Sequence, residues 1–146
     1  MKVLVTGAGG QLAHAVAARM QATHQVIALT RKELDLARYL DVMDVVREEQ
    51  PDAIINGAAY NDVDGAEDDP VAALAVNALG VRALAQAALA TRSILVHFST
   101  DFVFDGDADQ PYTEQSIPNP QSSYAISKLI GEWFAAEAQH YILRVE

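Results

Sequence analysis

The chain has no cysteine among its 146 residues, so disulfides and thiolate metal sites are excluded, and a reducing compartment is expected. Aromatic residues are scarce, at 7%, although 51% of the chain is apolar. Alanine fills much of that gap, which suits helices packed closely on a sheet. Positive charge is scarce as well: 10 Lys and Arg stand against 20 Asp and Glu, for a formal charge of −10. Phosphate backbones and anionic lipid faces repel such a chain, so neither nucleic acid nor membrane is expected as a partner. The start, Met1 to Gly7, is too short for a signal peptide, and no run is expected to reach the length that spans a bilayer. These absences together point to a cytoplasmic protein. With no Cys and no clustered His, no metal site is expected. His14, His24 and His140 read as scattered surface residues, and His97 as a packed strand residue.

What the chain does contain is alternation. Lys2–Thr6, Gln25–Leu29, Ala53–Asn56, Ser93–Phe98 and Tyr141–Arg144 are short runs rich in β-branched and apolar residues. Helical spacing lies between them: from Gly10 through Met20, around Tyr39–Glu49 before Pro51, over Val71–Ala90, and over Ser122–Gln139. A loop rich in Pro, Asp and Gly covers residues 105–121. Strands that are apolar throughout and alternate with helices predict an α/β fold, a doubly wound parallel sheet with helices on both faces. The expected strand order is 3-2-1-4-5. The acidic run Asp62, Asp64, Glu67, Asp68, Asp69 reads as a solvated helix start that complements the helix dipole.

Between the first strand and first helix stands Thr6-Gly7-Ala8-Gly9-Gly10-Gln11-Leu12-Ala13. Glycine allows a tight turn there, lets the backbone approach a pyrophosphate, and leaves helix N–H groups free for the anion. Gly7 and Gly10 take the turn and approach positions, and Ala13 the usual third-glycine position. A site for NAD alone normally carries an acid at the end of the second strand, to hold the ribose 2′-hydroxyl. Thr30-Arg31-Lys32 stands there instead, and Arg31 suits a 2′-phosphate. NADPH or NADH is therefore the expected cofactor, with NADPH favoured. Tyr124 and Lys128 are four apart near the start of a helix and share one face, and Thr100 closes the fourth strand. Ketone reduction needs a proton for the developing alkoxide. A phenol beside an ammonium is expected to have its pKa lowered toward neutrality, and a threonine hydroxyl can hold the reacting oxygen.

Six stretches occur in order: Gly7-Ala8-Gly9-Gly10-Gln11-Leu12, Asn56-Gly57-Ala58-Ala59-Tyr60, Val63-Asp64-Gly65-Ala66-Glu67, Val76-Asn77-Ala78, Ser99-Thr100-Asp101-Phe102-Val103-Phe104-Asp105-Gly106 and Tyr124-Ala125-Ile126-Ser127-Lys128. With Pro111-Tyr112-Thr113-Glu114, they resemble the extended short-chain dehydrogenase/reductase superfamily, and within it the dTDP-4-dehydrorhamnose reductase family. The resemblance implies NAD(P)H-dependent reduction of a sugar nucleotide, dTDP-4-dehydrorhamnose to dTDP-rhamnose. It implies Thr100, Tyr124 and Lys128 as the catalytic trio, and Gly7, Gly10, Gln11 and Leu12 at the pyrophosphate. Asp35 and Leu36 would lie near the adenine, and Ala58, Ala59 and Tyr60 along the middle of the cofactor. Val63, Asp101, Phe102 and Val103 would face the sugar.

Ala13, Gly57 and Asn61 depart from the family's usual Gly, Ala and Thr. The family's chains are also about twice as long, so residues 1–146 are expected to be the NAD(P)-binding Rossmann domain without the C-terminal substrate domain. On that expectation the isolated chain turns over little or no sugar nucleotide, and self-association or a homodimer through the open face is a possible state. Two alternatives remain at this level: a non-catalytic NAD(P)-binding regulatory subunit, or an NAD-dependent sugar-nucleotide epimerase or dehydratase.

Overall fold

Five apolar runs pair into one all-parallel sheet in the computed structural model of the chain, which describes residues 1–145. The strands are β1 (Lys2–Thr6), β2 (Gln25–Leu29), β3 (Ala53–Asn56), β4 (Ile94–Thr100) and β5 (His140–Val145). Helix α1 (Gln11–Met20) packs on one face through Ala13 and Ala17, against Val3, Val5 and Ile55. On the other face α2 (Tyr39–Glu49), α5 (Val81–Thr91) and α6 (Ser123–Ala135) close over Leu4, Ile54 and Leu95. The doubly wound α/β architecture is thus the one expected from strand and helix alternation.

The strand order differs in one respect. It is β2-β1-β3-β4-β5, not 3-2-1-4-5. Every residue of β3 is buried, whereas β2 is only half-buried along most of its length. A strand buried along its whole length belongs in the centre of a parallel sheet, so β3 crosses to lie beside β1 and β2 becomes an edge. The reversal of direction therefore falls between β1 and β3, and the crevice at their carboxyl ends is where open sheets of this kind take ligands.

The helix expected over residues 71–90 is more complicated. It begins as α4 (Pro70–Leu74), widens into a π-helical turn over Ala75–Gly80, and continues as α5. A short helix, α3 (Val63–Asp68), precedes it and was not expected. The stretch Pro70–Thr91 is long and apolar enough, by length and composition, to cross a membrane, contrary to the expectation that no run reaches that length. More than half of it is buried inside the fold, because its small apolar side chains fill the space between the sheet, α2 and α6. Asp62 caps α3 and Asp69 caps α4, so part of the acidic run is spent on free helix N–H groups. At the other edge, β5 leaves Tyr141, Leu143 and Val145 exposed, and Trp133 stands 62% exposed on α6.

Candidate active site

Glycine builds the first part of the site. Gly7 has a φ of +72°, and a Cβ there would lie 2.6 Å from the Ala58 backbone, so the turn after β1 admits no other residue without strain. The Gly10 N–H donates to the Gly7 carbonyl at 2.9 Å, and Gly10 begins α1 without any side-chain cap. No acidic side chain stands in the first turn. The orphan N–H groups at the N-terminus of α1 are therefore left to an anion. A Cβ at Gly9 would meet no protein atom, and one at Gly10 only the Gly7 carbonyl at 3.3 Å. The fold leaves open space at Gly9, whereas a side chain at Gly10 would crowd the Gly7 carbonyl. Gln11 and Leu12 are exposed at this opening, and Ala13 is buried beneath it.

At the end of β2, Glu33 accepts from both the Thr30 N–H and the Thr30 hydroxyl, each at 2.8 Å. These two bonds hold its carboxyl below the usual range. The nearest acid is thus occupied by the backbone it follows. Asp35 accepts from the Ala37 N–H and lies 3.8 Å from the exposed Arg31 guanidinium. Leu36 is buried in the main core and sits against Gly80, so its side chain belongs to the protein interior.

A buried polar thread joins the ends of β1, β3 and β4. The Thr6 hydroxyl donates to Asn56 Oδ1 at 2.6 Å, and the same oxygen accepts the Ala58 N–H at 3.2 Å. With Oδ1 so used, the Asn56 amide donates to His97 Nδ1 at 3.0 Å, which leaves the His97 proton on Nε2. Nε2 has no partner. Burial first, and the Lys128 charge second, pull the His97 pKa down to about 3, so the ring is neutral. His97 is the packed strand histidine that its position suggested.

Asn77, in the π-helical turn, fixes the half-buried loop of Ala58, Ala59 and Tyr60. Its Oδ1 accepts from the Tyr60 N–H at 2.8 Å, and its amide donates to the Tyr60 carbonyl and to Ser127 Oγ, both at 3.0 Å. The second of these bonds reaches α6 one residue before Lys128. A Cβ at Gly131 would collide with the Asn77 carbonyl, so glycine lets α6 and the π-helical turn approach this closely.

Helix α6 is capped twice. Ser122 Oγ accepts from the Ala125 N–H at 3.1 Å, and the Glu67 carboxylate accepts from the Ser123 N–H and hydroxyl at 2.6 and 2.9 Å. Tyr124 and Lys128 lie one turn apart on it, as their spacing requires. Lys128 is 3% exposed, and its Nζ donates to the Phe98 carbonyl of β4 at 2.7 Å. Burial lowers its pKa to about 8, against the pull of the Glu132 carboxylate. Tyr124 departs from expectation. Its pKa is raised by burial and by the Asp101 carboxylate, while the Thr100 hydroxyl, hydrogen-bonded toward it, works the other way. The ammonium that was expected to lower it is turned to the Phe98 carbonyl. A phenol held protonated is in the state that a proton donor needs.

Thr100 Oγ1 lies 3.3 Å from Asp101 Oδ1 and accepts the Phe102 N–H at 3.2 Å, which starts a 3₁₀ turn over Asp101–Val103. The Phe102 ring meets Tyr124 edge-on at 6.2 Å. A cleft of about 440 Å³ opens beside them, lined by Val63, Asp101 and Phe102 among others. Val103, also expected to face a sugar, is fully buried, and its carbonyl accepts the Asn119 N–H at 2.8 Å. Its branched side chain anchors the turn and is withdrawn from the cleft. Asn56, Glu67 and Asn77 hold the site together, yet only Asn77 carries a sequence signal, an amide in an apolar helix.

Comparison with known proteins follows this geometry closely. The family model described as the RmlD substrate binding domain matches residues 1–146. The chain is 43% identical over 137 residues to a dTDP-4-dehydrorhamnose reductase of Burkholderia thailandensis, covering 94% of this chain and 46% of that protein. Among solved structures, a dTDP-4-dehydrorhamnose reductase of Clostridium acetobutylicum superposes with a TM-score of 0.96 at 39% identity, over 99% of this chain and 52% of the other. A Bacillus anthracis dTDP-4-dehydrorhamnose reductase in complex with NADP gives 0.94 at 36%, over 98% and 52%. The chain spans about half the length of the curated relatives it matches. By the match along its whole length, it belongs to the family of the RmlD substrate binding domain, that of the dTDP-4-dehydrorhamnose reductases.

Proposed function

We propose that the chain binds NADPH, or NADH less tightly, and carries the proton-donating residues of a sugar-nucleotide reductase acting on dTDP-4-dehydrorhamnose. One observation carries the reading: an uncapped helix N-terminus, a buried lysine and a protonated tyrosine converge at the carboxyl ends of β1, β3 and β4. The residues fit a dinucleotide, since Gly9 faces open space beside the uncapped start of α1 and the nearest acid to a 2′-phosphate is engaged by Thr30. The relatives named for this reaction, and the neighbour solved with NADP, support the reading.

Each group then has a task. Gly7, Gly10, Gln11 and Leu12 surround the pyrophosphate, with Arg31 beside the 2′-phosphate and Asp35 and the Leu36 backbone toward the adenine. Ala58, Ala59 and Tyr60 form the floor beneath the rest of the cofactor, which supplies the hydride when bound. Tyr124 Oη donates its proton to the carbonyl oxygen as that oxygen gains charge, and the Thr100 hydroxyl orients the same oxygen. Lys128 keeps a positive charge beneath the site and offers donors to the cofactor's ribose. Val63, Asp101 and Phe102 line the sugar side. In this reading residues 1–146 are the dinucleotide-binding domain of a cytoplasmic reductase, and the greater length of the relatives holds most of the sugar-nucleotide contacts.

Calorimetric titration with NADPH and with NADH tests the reading. NADPH should bind the more tightly, and Arg31→Ala should weaken it about tenfold while leaving NADH unchanged. Equal loss for both cofactors would remove Arg31 from the 2′-phosphate site, and no binding of either would remove the dinucleotide reading.

A further inference from the structure

The loop over residues 104–121 follows the 3₁₀ turn that carries Asp101 and Phe102; besides the Asn119 N–H bond to the Val103 carbonyl, a column of side chains fastens it to α6 and β5. At its base Glu132, 5% exposed, takes Arg144 in two bonds, Nε to Oε1 at 2.9 Å and Nη2 to Oε2 at 2.7 Å. The Arg144 guanidinium lies 4.9 Å over the Phe104 ring, and Phe104 stacks on Tyr112 at 4.2 Å with the planes 4° apart. The Tyr112 hydroxyl donates to Asp105 at 2.6 Å, and Asp105 also accepts from the Asn119 amide at 2.9 Å. These bonds bring Asp105 down to about 2, so the cross-brace keeps its charge at any ordinary pH.

The base of this column, the Glu132–Arg144 pair, lies close to the residues of the site. Glu132 is one turn beyond Lys128 on α6, and its carboxylate favours the charged form of that lysine. Arg144 pairs in register with Ser99, and its neighbour Val145 with Thr100. Buried ion pairs seldom exceed an apolar pair of the same size in stability; what a bidentate one adds is a single geometry. Lysine could neither fork onto the carboxylate nor lie flat on the ring.

We propose that Glu132 and Arg144 are positioning residues, a strut that sets the sugar-facing turn Asp101–Val103 at a fixed distance from Tyr124 and Lys128. The proposal rests on the reductase reading for its functional meaning, but the strut itself is tested separately. Glu132→Gln breaks the charged fork and keeps the volume, while Phe104→Leu removes the stack and leaves the ion pair.

Hydrogen exchange on this chain should show amides 104–121 exchanging about tenfold faster in either variant, with β1 and β3 unchanged. The double variant should be little worse than either single one, because both changes cut one column. NADPH affinity should stay within about twofold. Where turnover of dTDP-4-dehydrorhamnose is measured, kcat should fall about tenfold while the KM for NADPH holds. Unchanged exchange in the loop overturns the strut. So does acceleration spread evenly over the sheet, which would mean a purely structural role, or effects of the two changes that multiply. If the unaltered chain fails to bind NADPH, the reductase reading falls, and the exchange measurements still decide the strut.

Discussion

At the end of β1 the site is made of backbone: a positive-φ glycine, Gly9 facing open space, Gly10 against the Gly7 carbonyl, and the bare N-terminus of α1. At the end of β4 it is made of side chains and helix ends, each held by a backbone or side-chain group from far along the chain. Lys128 is held by Phe98, Ser127 by Asn77, and the start of α6 by Glu67. On the proposed function the first kind of site would recognise what every dinucleotide shares, a pyrophosphate, and backbone suffices for that. The second would have to place a proton donor to within fractions of an ångström, which takes side chains locked in one rotamer by their partners.

The contrast can be broken most severely at Tyr124. On the proposed function Tyr124→Phe removes the proton donor and nothing of the cradle, so in a protein of the relatives' full length turnover should fall about a thousandfold with NADPH affinity within a few-fold. Steady-state kinetics beside calorimetry reads both, and undiminished turnover would unseat Tyr124. Gly7→Ala should do the opposite. Its Cβ has no room and its φ is unfavourable, so the chain should lose about 3 kcal/mol in denaturant titration and most of its cofactor binding.

Acid should act through the thread between the two ends. His97 titrates near 3 in the folded chain against an ordinary 6.5, so between those values the unfolded chain binds the extra proton. Stability is then fully present above about 6.5 and falls as pH drops toward 3, at up to about 1.4 kcal/mol per pH unit. His97→Asn should flatten that part of a plot of Tm against pH.

The smallest effect sharpens the backbone side. A Cβ on Gly57 would lie 2.8 Å from Ala13 Cβ, so β3 and α1 have room for one methyl between them. Ala13 and Gly57 therefore compete for the same space, and a methyl at one leaves little room for a methyl at the other. Gly57→Ala alone should cost about 1–2 kcal/mol by urea unfolding, and adding Ala13→Gly should recover about 1 kcal/mol of it. Additive losses would mean the two positions are independent.

The same contrast governs how much could be read from the sequence. The glycine turn, the five apolar strands, the Tyr124–Lys128 spacing and the end of β4 at Thr100 are local patterns, and local patterns leave a periodic trace. The order of β2, β1 and β3 does not, because burial on both faces, and not strand character, decides which strand is central. Nor does the second cap on α6, since Glu67 and Ser123 are 56 residues apart. Tyr124 was expected to be lowered by its neighbour four residues on, but Lys128 reaches across to Phe98 instead, and spacing along a helix says nothing of where a flexible stem ends. Gly131 is the exception: a glycine inside an apolar helix marks a close crossing, and the crossing it permits is with Asn77.

Trp133 is the only tryptophan in the chain, and it stands on the outer face of the helix that bears Tyr124 and Lys128. At 62% exposure its emission in the folded chain should lie near that of an indole in water, so fluorescence should be a poor gauge of unfolding here and circular dichroism the better one. For the same reason any surface that settles on α6, a second copy or a neighbouring domain, will shift that emission to the blue. The molecule carries a built-in optical probe of whatever covers its catalytic helix, and no label is needed to use it.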